Sequence, residues 1–290
     1  TGECRLPLEG AGYHQSYSCL TGGRSMNSAM QRLAGKERIK VLFVRPPHHY
    51  WPIINQSDNF LIPLNYPTLA GWIREKLEFV DVEILDCCVE EVGYGSLHAE
   101  LQRRAPDVVA IGEKVVYTHD AMRGFEVARK ALPDCVTVAG GHIFTHEPEW
   151  SLKTCSALDY VIRFEGEIAF EHFLRTAREG GTEEDCLSLC WLDDRDAPMR
   201  YTDLAPAVAN LDDIPPAALD LMPVRKYSPF GMLWPRAATI QRSRGCVDTC
   251  SFCSWIAMEN KHELGAEGNV RSSSWYRSKS VEKVLEEVDI

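Results

Sequence analysis

Cys135-Val-Thr-Val-Ala-Gly-Gly-His142 is a short β-branched run that stops on two glycines. A run of that length, apolar on both sides and closed by a turn signal, reads as a strand buried on both faces, the pattern of a parallel sheet. Glycines at a strand end admit positive φ and let another group approach the backbone closely, although a plain turn would use the same pair.

Working outward from this strand, the pattern repeats. Ile39-Lys-Val-Leu-Phe-Val44 stops at Arg45-Pro46-Pro47, Val80–Leu85 is a second strand, and Pro106-Asp-Val-Val-Ala-Ile-Gly112 is a third. Tyr160-Val-Ile-Arg163 follows the Gly140-Gly141 strand, and Leu187–Trp191 reads as the strand that ends the unit. Helical segments separate them: one opened by Pro67 and running to about Leu77, then Gly95–Arg104, Asp120–Leu132 and Glu167–Arg178. Strands alternating with helices describe βαβ units in a doubly wound parallel sheet, an α/β fold. Ligands of such sheets sit at the carboxyl ends of the strands, near the switch in strand order. Three loops meet there: Arg45–Tyr50, Glu113–His119 and Gly140–Thr145.

Bulk composition narrows the function classes. The 290 residues are 45% hydrophobic and 25% charged, enough for one large or two modest domains. A net charge of −11 argues against nucleic acid as a partner. No apolar run approaches the ~20 residues that span a bilayer, and the N-terminus lacks a basic-then-apolar signal pattern. Eleven cysteines without such a signal read as reduced thiols of a cytoplasmic protein. Residues 1–38 are taken as an N-terminal extension without fixed structure, with Met26 or Met30 as candidate native starts. The proline-rich residues 201–235 read as an extended linker over the surface.

Near the C-terminus stands Arg242-Ser-Arg-Gly-Cys-Val-Asp-Thr-Cys-Ser-Phe-Cys253, after a strand-like run Ala237–Gln241. Three thiols, Cys246, Cys250 and Cys253, cannot pair among themselves as disulfides. A structural zinc site wants four closed ligands, and His262 is the nearest candidate for a fourth. A cubane iron–sulfur cluster also takes four thiolates, so three would leave one iron open. The remaining cysteines, among them Cys87, Cys88, Cys155, Cys186 and Cys190, read as small buried thiols.

Cys246-Val-Asp-Thr-Cys250-Ser-Phe-Cys253, with its Ser243-Arg244-Gly245 lead-in and Phe252, resembles the C-x3-C-x2-C signature of the radical S-adenosylmethionine superfamily. The resemblance implies a [4Fe-4S] cluster whose open iron chelates S-adenosylmethionine and a 5′-deoxyadenosyl radical made from it. It also implies a reductant such as flavodoxin or ferredoxin and a small-molecule or peptide substrate. Val138–His142, Pro148-Glu149 and Val161-Ile-Arg-Phe-Glu-Gly-Glu167 resemble the flavodoxin-like cobalamin-binding domain that precedes the radical core in one branch of that superfamily. Leu211-Asp-Asp-Ile-Pro-Pro216 resembles that branch's linker, and Tyr276–Ser280 its first element after the cluster.

By that likeness residues 39–200 are the cobalamin domain and 236–290 the start of a (βα) barrel, of which most lies beyond this chain. Gly140, Gly141 and His142 would line the corrin, with Tyr117 and Thr118 nearby. The branch includes methyltransferases acting on unactivated carbons and an anaerobic oxidative cyclase of a Mg-porphyrin ester. A non-catalytic cobalamin module with a structural metal is the alternative from another class. A flavin or nucleotide binder lacks its G-x-G-x-x-G loop. The D-x-H-x-x-G motif that supplies a lower cobalt ligand is also absent: the loop reads Arg45-Pro-Pro-His-His-Tyr50, whose His48 and His49 are taken as solvated. Trp51 is a candidate to pack beneath the corrin, and Glu165 and Glu167 are assigned to offsetting a helix dipole.

Overall fold

A computed structural model describes residues 29–48, 61–227, 239–248, 250–253, 258, 261–264, 270–273 and 275–288. Its centre is a seven-stranded sheet in the order β2-β1-β3-β4-β5-β6-β7. The first five strands are β1 (Ile39–Arg45), β2 (Val80–Asp86), β3 (Val108–Gly112), β4 (Val136–Gly140) and β5 (Tyr160–Ile162). They pair in parallel. β6 (Leu189–Trp191) and β7 (Arg200–Tyr201) add an antiparallel edge. The strand order reverses between β1 and β3, which places the crevice for a ligand above those two strands.

The connecting helices are α1 (Asn65–Lys76), α2 (Tyr94–Arg104), α3 (Thr118–Ala131), the short α4 (His142–His146) and α5 (Pro148–Thr154), and α6 (Gly166–Glu179). The sequence reading placed four of these, with ends shifted by one or two residues, and missed α4 and α5. Alternate residues of β1 feed two cores. Val41 and Phe43 face Ile73 of α1 and Phe170 and Phe173 of α6. Leu42 and Val44 face Leu97, Phe125 and Phe144 on the other side. Burial on both faces is why the strands read as unbroken apolar runs.

Two expectations about the flanks need correction. Residues 29–38 are not a structureless extension: Met30 and Leu33 are fully buried in the α1–α6 core. The Met30 amide donates to the Tyr160 hydroxyl at 3.0 Å, and the Gly35 amide to the Arg178 carbonyl at 2.8 Å. Nor does the proline-rich segment run over the surface. Leu211, Ile214, Ala218 and Tyr227 are buried in the same core. The Ala218 amide donates to the Pro67 carbonyl at 2.8 Å. The apolar residues spaced between the prolines drive this, because removing each from water outweighs keeping the segment free.

Beyond residue 238 the structure differs from the expected strand Ala237–Gln241. Thr239–Arg242 is irregular, and the strand is β8 (Ser243–Arg244), paired antiparallel with β11 (Arg277–Ser278). Between them lie β9 (Lys261–Leu264) and β10 (Val270–Ser273), also antiparallel. Helix α7 (Val281–Val288) follows, as its spacing predicts. Among the described residues, no parallel βα pair follows the cysteine loop. No helix among them is long and apolar enough to cross a membrane.

Candidate cofactor sites

The carboxyl edge of the sheet is built by β1, β3 and β4. β3 and β4 end in register, Gly112 opposite Gly140. The two glycines expected to admit a ligand have different physical reasons to be glycine. Gly141 has φ +90° and ψ −173°, a region essentially closed to L side chains. A Cβ there would stand 2.8 Å from the Glu113 carbonyl oxygen, so the loop after β3 already fills the space a side chain would need. Gly140 is different: a Cβ would meet only the Ile162 carbonyl oxygen, at 3.8 Å. Its face is the open one. His142 starts α4, half-buried.

The loop after β3 carries Val115 and Val116, which are 49% and 76% exposed. An apolar pair left in water at a strand's carboxyl end is a candidate contact surface that the sequence reading missed, and two adjacent valines three residues past Gly112 were its only signal. Tyr117 is half-buried at the N-terminus of α3 and Thr118 is buried. The Thr118 hydroxyl donates back to the Val115 carbonyl at 2.6 Å, so it shapes the loop.

His48 is not solvated. Its side chain has no exposed surface, and its ring stacks on Tyr117 with centroids 3.7 Å apart and planes at 10°. Its Nε2 lies 3.7 Å from Glu113 Oε1, which also accepts from the Tyr66 hydroxyl at 2.9 Å. Burial disfavours the imidazolium, but Cys88 and Glu113 outweigh it and raise the pKa to about 9. Beside the ring, Arg45 donates to Asp86 at 3.1 Å, and Asp86 accepts from the Tyr227 hydroxyl at 2.5 Å. That bond ties the proline-rich segment to the ends of β1 and β2. His49, Tyr50, Trp51 and Phe60 lie outside the described residues.

The second site is the cysteine loop. Cys250 is exposed and Cys246 and Cys253 partly so, whereas Cys87, Cys135, Cys155, Cys186 and Cys190 are buried. Burial pushes the Cys155 and Cys186 thiols up to about 12 and Cys190 to about 11. Such thiols are poor metal ligands, because the thiolate is the ligand. The loop leaves β8 through Gly245, at φ +87°. The Asp248 amide donates to Cys246 Sγ at 3.4 Å, and the Cys253 amide to the Cys250 carbonyl at 3.0 Å. Among the described residues no three His, Cys, Asp or Glu side chains converge on one metal ion. A cubane asks for something else, one thiolate on each of several irons. Three accessible thiols on a solvent-facing turn fit that donor set.

The two sites are joined. Glu165 and Glu167 flank the start of α6; the Glu165 side chain makes no capping hydrogen bond, and Glu167 lies in the first turn. Instead Arg244 Nη2 donates to Glu167 Oε1 at 2.6 Å, and Arg244 Nη1 lies 3.4 Å from Glu165 Oε2. Arg277 donates to Glu165 through both terminal nitrogens, Nη1 to Oε2 at 3.1 Å, and to the Val208 carbonyl at 2.6 Å. Burial opposes the Glu167 charge, but Arg244 outweighs it and holds the carboxyl below its ordinary range. No period or spacing along the chain matches residues 244 and 277 with 165 and 167.

The fold thus sets a thiol-bearing turn beside the open carboxyl edge of a parallel sheet. Residues 50–174 match the family model described as B12 binding domain. The chain is 28% identical over 259 residues to an uncharacterised methyltransferase of Pyrococcus horikoshii, covering 87% of this chain and 50% of that protein. It is 25% identical over 260 residues to the anaerobic magnesium-protoporphyrin IX monomethyl ester cyclase of Rubrivivax gelatinosus, covering 87% and 42%. Its fold is similar to the cobalamin-dependent S-adenosylmethionine radical enzyme OxsB with aqua-cobalamin and S-adenosylmethionine bound. That likeness has TM-score 0.65 and 19% identity, and covers 87% of this chain and 31% of that one. The likeness to a B12 binding domain thus lies in residues 50–174, and the chain as a whole is similar in sequence to these two proteins and in fold to the third. It spans half or less of the length of these relatives.

Proposed function

We propose that this chain is the cobalamin-binding and cluster-bearing part of a radical S-adenosylmethionine enzyme that methylates an unactivated carbon. The observation that carries the reading is the docking of a turn bearing three accessible thiols onto a B12-binding domain whose carboxyl edge is open at Gly140. Cys246, Cys250 and Cys253 would hold a [4Fe-4S] cluster. Gly140, Gly141, His142 and Tyr117 would border the corrin, and Val115 and Val116 would give it an apolar wall. When bound, the cluster supplies an electron for cleaving S-adenosylmethionine and cobalamin supplies the methyl group.

The protein's own part is placement. His48 is stacked on Tyr117 with no exposed surface, so the loop after β1 presents no accessible imidazole from that residue. Gly141 lets the β3 loop lie against the β4 end, which sets Tyr117 and the valines at the rim. Residues 39–48 and 61–227, with Met30 and Leu33, pack together, and Arg244, two residues before Cys246, docks on them.

Two measurements test the proposal. Hydroxocobalamin titrated into the chain gives a corrin spectral shift if the first site is real; an unchanged spectrum refutes it. Anaerobic incubation with iron and sulfide gives a brown protein with absorbance near 400 nm. Stoichiometric zinc without iron uptake would instead support the structural-metal alternative. In the full-length enzyme, methyl-labelled S-adenosylmethionine separates the chemistries. Label retained in product supports methylation, and an unlabelled product carrying a new ring supports the cyclase.

A further inference from the structure

β8 and β11 set Arg244 directly opposite Arg277. Like charges facing each other across an antiparallel pair repel, and a pair of two-residue strands has too few hydrogen bonds to stand by itself. Both guanidinium groups are nonetheless buried, with side-chain exposures of 8% and 4%. The compensation comes from the cobalamin domain. Glu165 and Glu167 are themselves 10% and 6% exposed and present two carboxylates to two guanidinium groups. The four charges sum to zero, and the contacts to Glu165 use both of its oxygens. Removing one partner from such a buried set leaves an uncompensated charge.

The two strands are the frame of the cysteine loop. Arg244 is two residues before Cys246, with Gly245 between them. Lys279, just past Arg277, donates its amide to the Arg242 carbonyl at 2.9 Å, and the Ser280 amide donates to Asp212 Oδ1 at 2.8 Å. Trp275 lies under the Arg277 guanidinium, 4.2 Å from its carbon to the ring centroid. Glu165 and Glu167 sit on the loop and first turn after β5, on the same edge of the sheet as Gly140.

We infer that Glu165 and Glu167 are positioning residues for the cluster: through Arg244 and Arg277 they hold the cysteine-bearing turn on the cobalamin domain and set where its thiols stand relative to the Gly140 edge. The carboxylates touch neither cluster nor corrin; they act through the two arginines. The inference rests on the proposed cluster reading for its consequence, but the clamp can be measured without any metal. In the apo state the β8–β11 pair closes only when docked, so its order depends on the glutamates.

The test uses the 290-residue chain, with Glu167→Gln and the pair Glu165→Gln/Glu167→Gln. Hydrogen exchange of the apo protein is read at the β8 and β11 amides, with β1, β3 and β4 as an internal control of folding. The expected result is exchange at least tenfold faster across residues 242–246 and 276–280 in the double variant, with the sheet unchanged. Equal exchange in those segments overturns the clamp. The loaded chain is then compared by iron retained through gel filtration and by the electron paramagnetic resonance of the reduced cluster. The double variant should lose half or more of its iron and show shifted g-values, and Arg244→Lys, which keeps the charge but not the paired geometry, should fall between. Wild-type signals in the double variant overturn the positioning role. A wild-type chain that takes up no iron while the β8–β11 pair loosens in the variant refutes the cluster reading and leaves the clamp standing.

Discussion

Replacing Gly141 by alanine separates what the protein needs at the sheet edge from what a ligand needs. At φ +90° and ψ −173° an L residue is strained, by about 1–3 kcal/mol. The new Cβ would also meet the Glu113 carbonyl oxygen at 2.8 Å and its nitrogen at 3.1 Å. Both are backbone atoms, so no side-chain rotation relieves the contact, and the loop after β3 must move. Strain and displacement together come to about 2–4 kcal/mol, which in a domain of this size lowers Tm by roughly 5–12 °C. Gly140→Ala is the matched control. Its Cβ has nothing nearer than the Ile162 oxygen at 3.8 Å, so stability should change by no more than about 0.5 kcal/mol. If the corrin approaches over Gly140, the same methyl group should weaken hydroxocobalamin binding at least tenfold. Thermal melts and a spectral titration of both variants suffice. A Gly141→Ala melt within 2 °C of wild type would refute the strain argument, and wild-type corrin affinity in Gly140→Ala would refute the approach over that residue.

Further outcomes follow from other parts of the structure. Because the His48 pKa is raised to about 9, its contribution is fully present below about pH 6.5 and is lost as pH rises through 9. Wild type should therefore lose up to about 3 kcal/mol between pH 7 and pH 10. His48→Gln should flatten that part of the profile in urea titrations, and an unaltered profile contradicts the assignment of charge. Cys250→Ala should abolish iron uptake, whereas Cys155→Ala, which alters a buried thiol, should leave iron content unchanged by colorimetric assay. Tyr227→Phe removes the 2.5 Å hydrogen bond to buried Asp86 and should reduce stability by about 1.5–3 kcal/mol in denaturant unfolding. A smaller change would mean that the proline-rich segment is not fastened there.

Which parts of this were legible in the sequence follows from range. The parallel strands were readable because each is buried on both faces and so is written as a local apolar run, Val41–Val44 or Val136–Ala139. The cysteine spacing was readable because the three thiols lie close together along the chain, at 246, 250 and 253. Residues 203–227 were misread because their prolines are a local signal, while the burial of Leu211 and Ile214 depends on α1 and α6 being there to receive them. His48 was misread for the same reason. A polar loop residue becomes a buried one only once Glu113 and Tyr117 surround it.

The sequence by itself determined the α/β class, the strand ends where a ligand would sit, and the three thiols. It also carried the glycine pair, but could not say that one glycine serves the β3 backbone and the other leaves an open face. Only the tertiary structure decided that Arg244 and Arg277 are held by carboxylates more than 75 residues earlier in the chain. The physical reason is that a buried charge must find its counter-charge in space, and no local pattern of residues records where in the chain that partner lies.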